Sequence, residues 1–283
     1  MGIAHSRRWV LVLLVALASA ACAGLGDCGS RPRTRDEMIQ IPGGSFAMGS
    51  EDRDANENEK PAHTVKVATF RLDKTEVTVA DYAACVAAGP CGEPEAYRQE
   101  RGDYHSFCNW RHPEGRPDHP INCVDFAQAT AFCAWAGKRL PSEEEWEYAA
   151  RGGAEGRKYP WGNAEPDPSR LNACGGECPP NLIAKRFFGV APMYPAKDAW
   201  PETAPVGSFP AGASKHGVLD LAGNVWEWTA TPYATYDGMS HEDKRVLRGG
   251  SWGGGDSRTE RASNRFRLEA NARAQFLGFR CAR

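Results

Sequence analysis

Net charge, long apolar runs, paired histidines and late cysteines are what this sequence lacks. Its 34 Lys and Arg stand against 36 Asp and Glu, for a formal net charge of -2 with both signs interspersed. That balance leaves no basic footprint for nucleic acid. The apolar run Trp9 to Ala18 is too short to serve comfortably as a permanent membrane-spanning helix. The seven histidines form no His-Glu-x-x-His pattern and no close pair that would set two imidazoles on one face, which argues against a transition-metal site. No cysteine lies between Cys178 and Cys281, and no repeat at solenoid spacing is visible. What is present is ordinary globular material: 283 residues, 41% hydrophobic and 25% charged, enough to bury a core.

The N-terminus reads as an export signal over residues 1–21. Arg7 and Arg8 precede the apolar run, and small residues lead into Ala20-Ala21-Cys22. A cysteine directly after small residues resembles the bacterial lipobox, whose thiol is acylated, and this predicts lipidation at Cys22 and membrane attachment through it. Ordinary cleavage after Ala18-Ser19-Ala20 is the alternative, since Ser19 stands where leucine is usual, and Ser6-Arg7-Arg8 leaves a twin-arginine route open. Either way the destination is exported: a bacterial cell-envelope lipoprotein, or a secreted protein if Cys22 carries no lipid. Residues 22–37 are a polar, Arg-rich stalk, and 38–283 the globular part. Of ten cysteines, eight remain after Cys22 and Cys28 are set aside, an even number that in an exported chain favours disulfides over zinc.

Within the globular part, Ile39 to Met48 alternates around Pro42-Gly43-Gly44 and predicts a short hairpin, Glu51 to Lys60 a charged loop, and His63 to Leu72 a strand. Three helices carry start signals: Thr78 caps one closed by Gly89, Asp125 with Gln128 caps a second ending at Gly137, and Ser142 with Glu145 caps a third ending at Gly152-Gly153. Cys91 to Asn122 is an irregular insertion pinned by Cys108. From Gly152 onward the chain is dense in Gly, Pro, Trp and Asn with few periodic runs. Helices early and short strands late make a single α+β domain and argue against an alternating parallel-sheet architecture.

Four stretches invite a chemical reading. Gly249-Gly-Ser-Trp-Gly253 matches a nucleophile elbow, but Gly253-Gly254-Gly255-Asp256 follows instead of a helix and no histidine follows His241, so a hydrolase triad in the usual order cannot be built. His105, His112 and His119 fall in the irregular insertion and read as solvated or hydrogen-bonded. Glu143, Glu144, Glu145 and Glu147 sit at a helix start, where capping and the helix dipole account for them. Asp220-Leu-Ala-Gly-Asn-Val-Trp-Glu-Trp228 combines hard oxygen donors with a glycine turn and two indoles; it reads as an oxygen-ligand metal site, or as a Trp-rich corner in which Asp220 and Glu227 pair with arginines.

Ile41-Pro-Gly-Gly-Ser-Phe-Ala-Met-Gly49, Asp73-Lys-Thr-Glu-Val-Thr78, Gly137-Lys-Arg-Leu-Pro-Ser-Glu-Glu-Glu-Trp-Glu-Tyr148, Tyr159-Pro-Trp-Gly-Asn163, Gly223-Asn-Val-Trp-Glu-Trp228, Arg248-Gly-Gly-Ser-Trp252 and Leu277-Gly-Phe-Arg-Cys281 occur in this order. Together they resemble the formylglycine-generating enzyme, or sulfatase-modifying factor, family. The resemblance implies a variant of the C-type lectin fold, low in regular secondary structure, with two calcium ions. Carried over by position, one calcium site takes the side chains of Asn172 and Asp198 with the carbonyls of Ala173 and Trp200. The other takes Asp220 and Glu227 with the carbonyls of Gly223 and Val225. All are oxygen donors, as calcium requires.

The family's oxidases convert a substrate cysteine to formylglycine with O2, through two cysteines that bind copper as thiolates. Here Gly254 and Thr259 hold those positions. Neither replaces a soft thiolate, so no copper is expected and the known oxidase mechanism is not encoded. By the same resemblance Cys133 bridges Cys281, while both partners of another family bridge are absent, at Ala150 and Asn264. Proximity adds Cys85 with Cys91 and Cys174 with Cys178, and elimination adds Cys108 with Cys123.

The expected function is a calcium-stabilised binding or scaffold module for a protein or peptide ligand. An enzyme with altered oxidation or transfer chemistry in a cleft near Ser251, Trp252 and Asn264 is the alternative; related domains occur in iron-dependent sulfoxide synthases, whose added histidine-rich iron site has no clear counterpart here. Glycan recognition is the third ligand class, although most of the nine tryptophans fall in the family motifs, as core residues would.

Overall fold

The computed structural model describes residues 37–94, 107–178 and 192–283, all within the compact unit Thr34–Arg283. The expected export signal, most of the expected stalk and Cys22 lie outside the described residues. Among the described residues, no helix is long and apolar enough to cross a membrane.

All three capped helices form. Helix α1 (Val79–Ala88) starts where the Thr78 hydroxyl accepts from the Asp81 amide and ends on Gly89 at φ +97°, a left-handed residue that stops the helix without Cβ strain. Helices α2 (Phe126–Trp135) and α3 (Glu143–Ala150) each open on a reciprocal capping box, Asp125 with Gln128 and Ser142 with Glu145.

The early strands pair differently from the expected hairpin. β1 (Met38–Ile41) and β2 (Gly44–Met48) do not face each other. Instead β1 pairs with β4 (Phe70–Asp73) and β2 with β3 (His63–Val67), both antiparallel, so 63–72 forms two strands rather than one. The cause lies at the two corners: a Cβ on Gly43 would stand 2.5 Å from the Val67 carbonyl oxygen and 2.6 Å from the Thr69 nitrogen. One bend is nested in the other, and only glycine permits that approach.

A four-stranded sheet follows in the order β7 (Phe266–Glu269), β6 (Ser240–Arg248), β5 (Trp226–Ala234), β8 (Leu277–Gly278), with β5 and β8 parallel. One apolar cluster joins α1 and α2 to this sheet through Val79, Tyr82, Phe132, Trp228, Leu247 and Phe279. A second joins the N-terminal strands to α3 through Ile41, Phe46, Leu72 and Trp146. Four disulfides, Cys85–Cys91, Cys108–Cys123, Cys133–Cys281 and Cys174–Cys178, have the partners expected from the sequence and engage all eight described cysteines.

The helix-start glutamates turn out to be structural, by a route that capping alone does not cover. Glu143 and Glu147 are buried, and the guanidinium of Arg248, fully buried on β6, reaches Glu143 at 2.7 Å and Glu147 at 2.6 Å. Arg265 adds two contacts to Glu143, at 2.5 and 2.9 Å. The network ties α3 to the sheet.

Candidate functional site

The loop Asp220 to Trp228 is a tight corner. Asp220 and Asn224 both have φ +57° and Gly223 has φ +80°. A Cβ on Gly223 would stand 2.2 Å from the Asn172 carbonyl oxygen, so the glycine lets this loop press on the 171–173 segment. Asn224 secures the joint: its amide N–H donates to the Asn172 carbonyl at 2.9 Å, its Oδ1 accepts from Ala204 N–H at 3.0 Å and Asn172 Nδ2 at 3.2 Å, and its Nδ2 donates to Glu76 at 3.0 Å. The two candidate calcium sites therefore share a wall.

At the first, the Asp198 carboxylate accepts from Trp200 N–H at 2.8 Å, Tyr194 Oη at 3.0 Å and Ala173 N–H at 3.2 Å. This brings Asn172, Ala173, Asp198 and Trp200 together. Burial, and beyond it the charge of Glu177, push the Asp198 carboxyl up to about 6. Asn172 is 1% exposed and its Oδ1 has no hydrogen-bond partner. An orphaned buried acceptor, on the residue before the Ala173 amide that bonds a carboxylate with no basic partner among the described residues, fits a hard cation.

The second site is built differently. Arg280 grips Glu227 with two contacts of 2.7 Å, Trp146 Nε1 donates to the same carboxylate at 2.9 Å, and Arg280 also reaches the Asp220 carbonyl at 3.2 Å. The Asp220 carboxylate accepts from Gly207 N–H at 2.6 Å. Glu227 is thus paired with an arginine while the Asp220 carboxylate meets a backbone amide, and the Glu227 oxygens, already occupied, do not fit as a free ligand set. Glu76, a residue that pattern reasoning missed, sits behind it with one orphaned oxygen; burial, then the neighbouring Asp220, hold its carboxyl well above the usual range. Among the described residues no group of three or more His, Cys, Asp or Glu is placed to hold a metal, so backbone carbonyls and amide oxygens would have to complete any cation cage.

The third feature is a cleft of about 300 Å³ lined by Trp226, Ser251, Gly254, Gly255, Asp256, Arg258 and Thr259. Of the expected cleft residues only Ser251 lines it, and Ser251 is itself buried. Trp252 is 2% exposed and points its indole N–H to the Gln275 carbonyl, while Asn264 donates to the Thr259 carbonyl.

Glu260, also missed from the sequence, lies beneath. Its Oε1 would be 2.2 Å from a Cβ on Gly254 and is 3.0 Å from Thr259 Oγ1. The carboxyl thus stands between the two positions that resemblance assigns to the copper cysteines. Thr259 Oγ1 also lies 2.7 Å from the Asp256 carbonyl. A hydroxyl has one proton to give, so both contacts close best when Glu260 is protonated and donates. Burial pushes that carboxyl up to about 8.

A folded pKa above the unfolded one means that the folded state binds the extra proton between them, so stability falls as pH rises through that window. Glu260→Gln cannot ionise. Its stability relative to the parent is expected to rise by about 2 kcal/mol between pH 6 and pH 8, read by denaturant unfolding at both. Parallel pH profiles would show that Glu260 is already ionised.

The model of the sulfatase-modifying factor enzyme 1-like domain matches residues 25–283. The chain is 37% identical to a formylglycine-generating enzyme of Streptomyces coelicolor over 95% of this chain and 96% of that one. It is 34% identical to an inactive Cα-formylglycine-generating enzyme 2 of Bos taurus over 87% of each. Among solved structures it resembles PvdO from Pseudomonas aeruginosa, with a TM-score of 0.64 and 27% identity over 87% of this chain and 93% of that one.

Proposed function

Because the chain belongs to the sulfatase-modifying factor enzyme 1-like family, we propose that it is a calcium-stabilised member without cysteine-oxidase activity, exported to the cell envelope as a binding or scaffold module. The observation that carries this reading is the replaced thiolate pair. Gly254 and Thr259 stand at the copper positions with the Glu260 carboxyl between them, and every described cysteine is in a disulfide. Copper(I) needs soft ligands, and the cleft offers the hydroxyls of Ser251 and Thr259 and the Asp256 carboxyl, with Glu260 beneath. Family membership alone does not decide the matter, since the relatives include both a formylglycine-generating enzyme and a protein named inactive.

Calcium belongs to the proposal at the first site. There Asn172 and Asp198, with the carbonyls of Ala173 and Trp200, would hold it, and the ion would balance the Asp198 charge and tie two segments distant in sequence. Export, and a lipid anchor on Cys22, rest on the leader-like N-terminal residues.

The full chain, loaded with copper(I) and supplied with O2, is incubated with a cysteine-containing sulfatase peptide and the peptide is weighed by mass spectrometry. We expect unchanged peptide. Conversion to the aldehyde would refute the reading.

A further inference from the structure

Cys174-Gly-Gly-Glu-Cys178 encloses a single carboxylate in a loop closed by a disulfide, with the two cysteine Cα atoms 4.9 Å apart. The loop is pressed on the segment that leads to Asp198. Gly176 N–H donates to the Ala196 carbonyl at 2.8 Å, and a Cβ on Gly176 would stand 2.3 Å from the Pro195 carbonyl oxygen. At Gly175 a Cβ would meet the Tyr194 ring at 2.6 Å and Glu177 Oε1 at 2.8 Å. The two glycines therefore allow the loop to lie flat, and Glu177 is delivered to Asp198: its Oε2 accepts from the Asp198 amide at 3.1 Å.

The other oxygen, Glu177 Oε1, is buried and has no hydrogen-bond partner, and the same holds for Oδ1 of Asn172, whose neighbour Ala173 bonds the Asp198 carboxylate. Neither Glu177 nor Asp198 forms a salt bridge to a Lys, Arg or His among the described residues. Two neighbouring carboxylates and an orphaned amide oxygen with no protein cation are a costly arrangement unless a cation comes from solution. The donors are hard oxygens, which suit calcium rather than a soft transition metal.

We propose that Glu177 is an additional ligand of the cation site formed by Asn172 and Asp198, and that the Cys174–Cys178 bridge holds it in place. This rests on the calcium reading above. Ligand charge and site rigidity are the two quantities that tune calcium affinity, and the bridge-closed glutamate contributes to both. The same bridge connects the site to the cleft, because Cys174 N–H donates to the Gly254 carbonyl at 2.9 Å.

Calorimetric titration of the chelator-treated full chain with calcium chloride tests this. Glu177→Gln keeps an acceptor for the Asp198 amide but loses the charge, and is expected to bind calcium about tenfold more weakly or worse. Its thermal midpoint in chelator should match or exceed that of the parent, which separates a lost ligand from a lost fold. Replacing Cys174 and Cys178 together by alanine should also weaken binding. Parental affinity in Glu177→Gln would overturn the assignment of the ligand while leaving the calcium reading intact, and parental affinity in the double cysteine variant would overturn the role of the bridge. No calcium uptake by the parent would overturn the calcium reading itself.

Discussion

Replacing Cys133 and Cys281 together by alanine is expected to lower the unfolding free energy by about 5 kcal/mol, against about 2 kcal/mol for the pair Cys85 and Cys91. The difference follows from the chain each bridge encloses: the first spans a sequence separation of 148, the second of 6, and the entropy removed from the unfolded ensemble grows with the logarithm of that length. Both cysteines of the long bridge are fully buried, one on α2 and one after β8. Their loss would also loosen what the C-terminal segment positions. Cys281 N–H donates to Asp73 at 2.9 Å, Lys138 pairs with that aspartate at 2.8 Å, and the adjacent Arg280 holds Glu227. Denaturant unfolding of the two double variants, side by side, reads the difference. Equal losses would mean that the unfolded chain is already compact where the long bridge acts.

Arg248→Met is the second large effect. Removing one partner of a buried ion network leaves charge without compensation, at a cost of about 3–5 kcal/mol. Arg248 touches both Glu143 and Glu147 and also donates to the carbonyls of Ala262 and Asn264 at 3.0 Å each. Glu143 keeps Arg265 and Glu147 keeps Arg151 at 3.0 Å, so the loss stops short of stranding either carboxylate completely. A compensating change should recover part of it: in Arg248→Met with Glu147→Gln the buried carboxylate oxygen that Arg248 contacted no longer carries charge, and about a third to a half of the lost stability should return. Strict additivity of the two substitutions would contradict a shared network.

What the sequence made legible, and what it did not, divides along the range of the interactions. The caps at Thr78, Asp125 and Ser142 act over three residues, and each helix starts where its cap predicts. The partner of β1 is chosen by packing at Gly43 against residues 67–69, a contact that local alternation does not report, and the expected hairpin is replaced by two separate ladders. At the candidate sites the Asp198 carboxylate meets the amide N–H groups of Ala173 and Trp200, whereas Glu227 is held by an arginine more than fifty positions away in sequence. Glu260 and Glu177 carry no motif. Their roles come from burial beneath Gly254 and beside Asp198, and the one available hint was Glu177 as the sole carboxylate between two neighbouring cysteines.

The proposed function joins two expectations: no soft-metal chemistry at positions 254 and 259, and a hard-cation site around Asn172 and Asp198. Both are read by one elemental analysis of the full chain after exposure to copper(I) and calcium together, followed by exhaustive dialysis against metal-free buffer. The account predicts at least one calcium retained per chain and no stoichiometric copper. Copper held at one per chain, or calcium entirely lost, would contradict it.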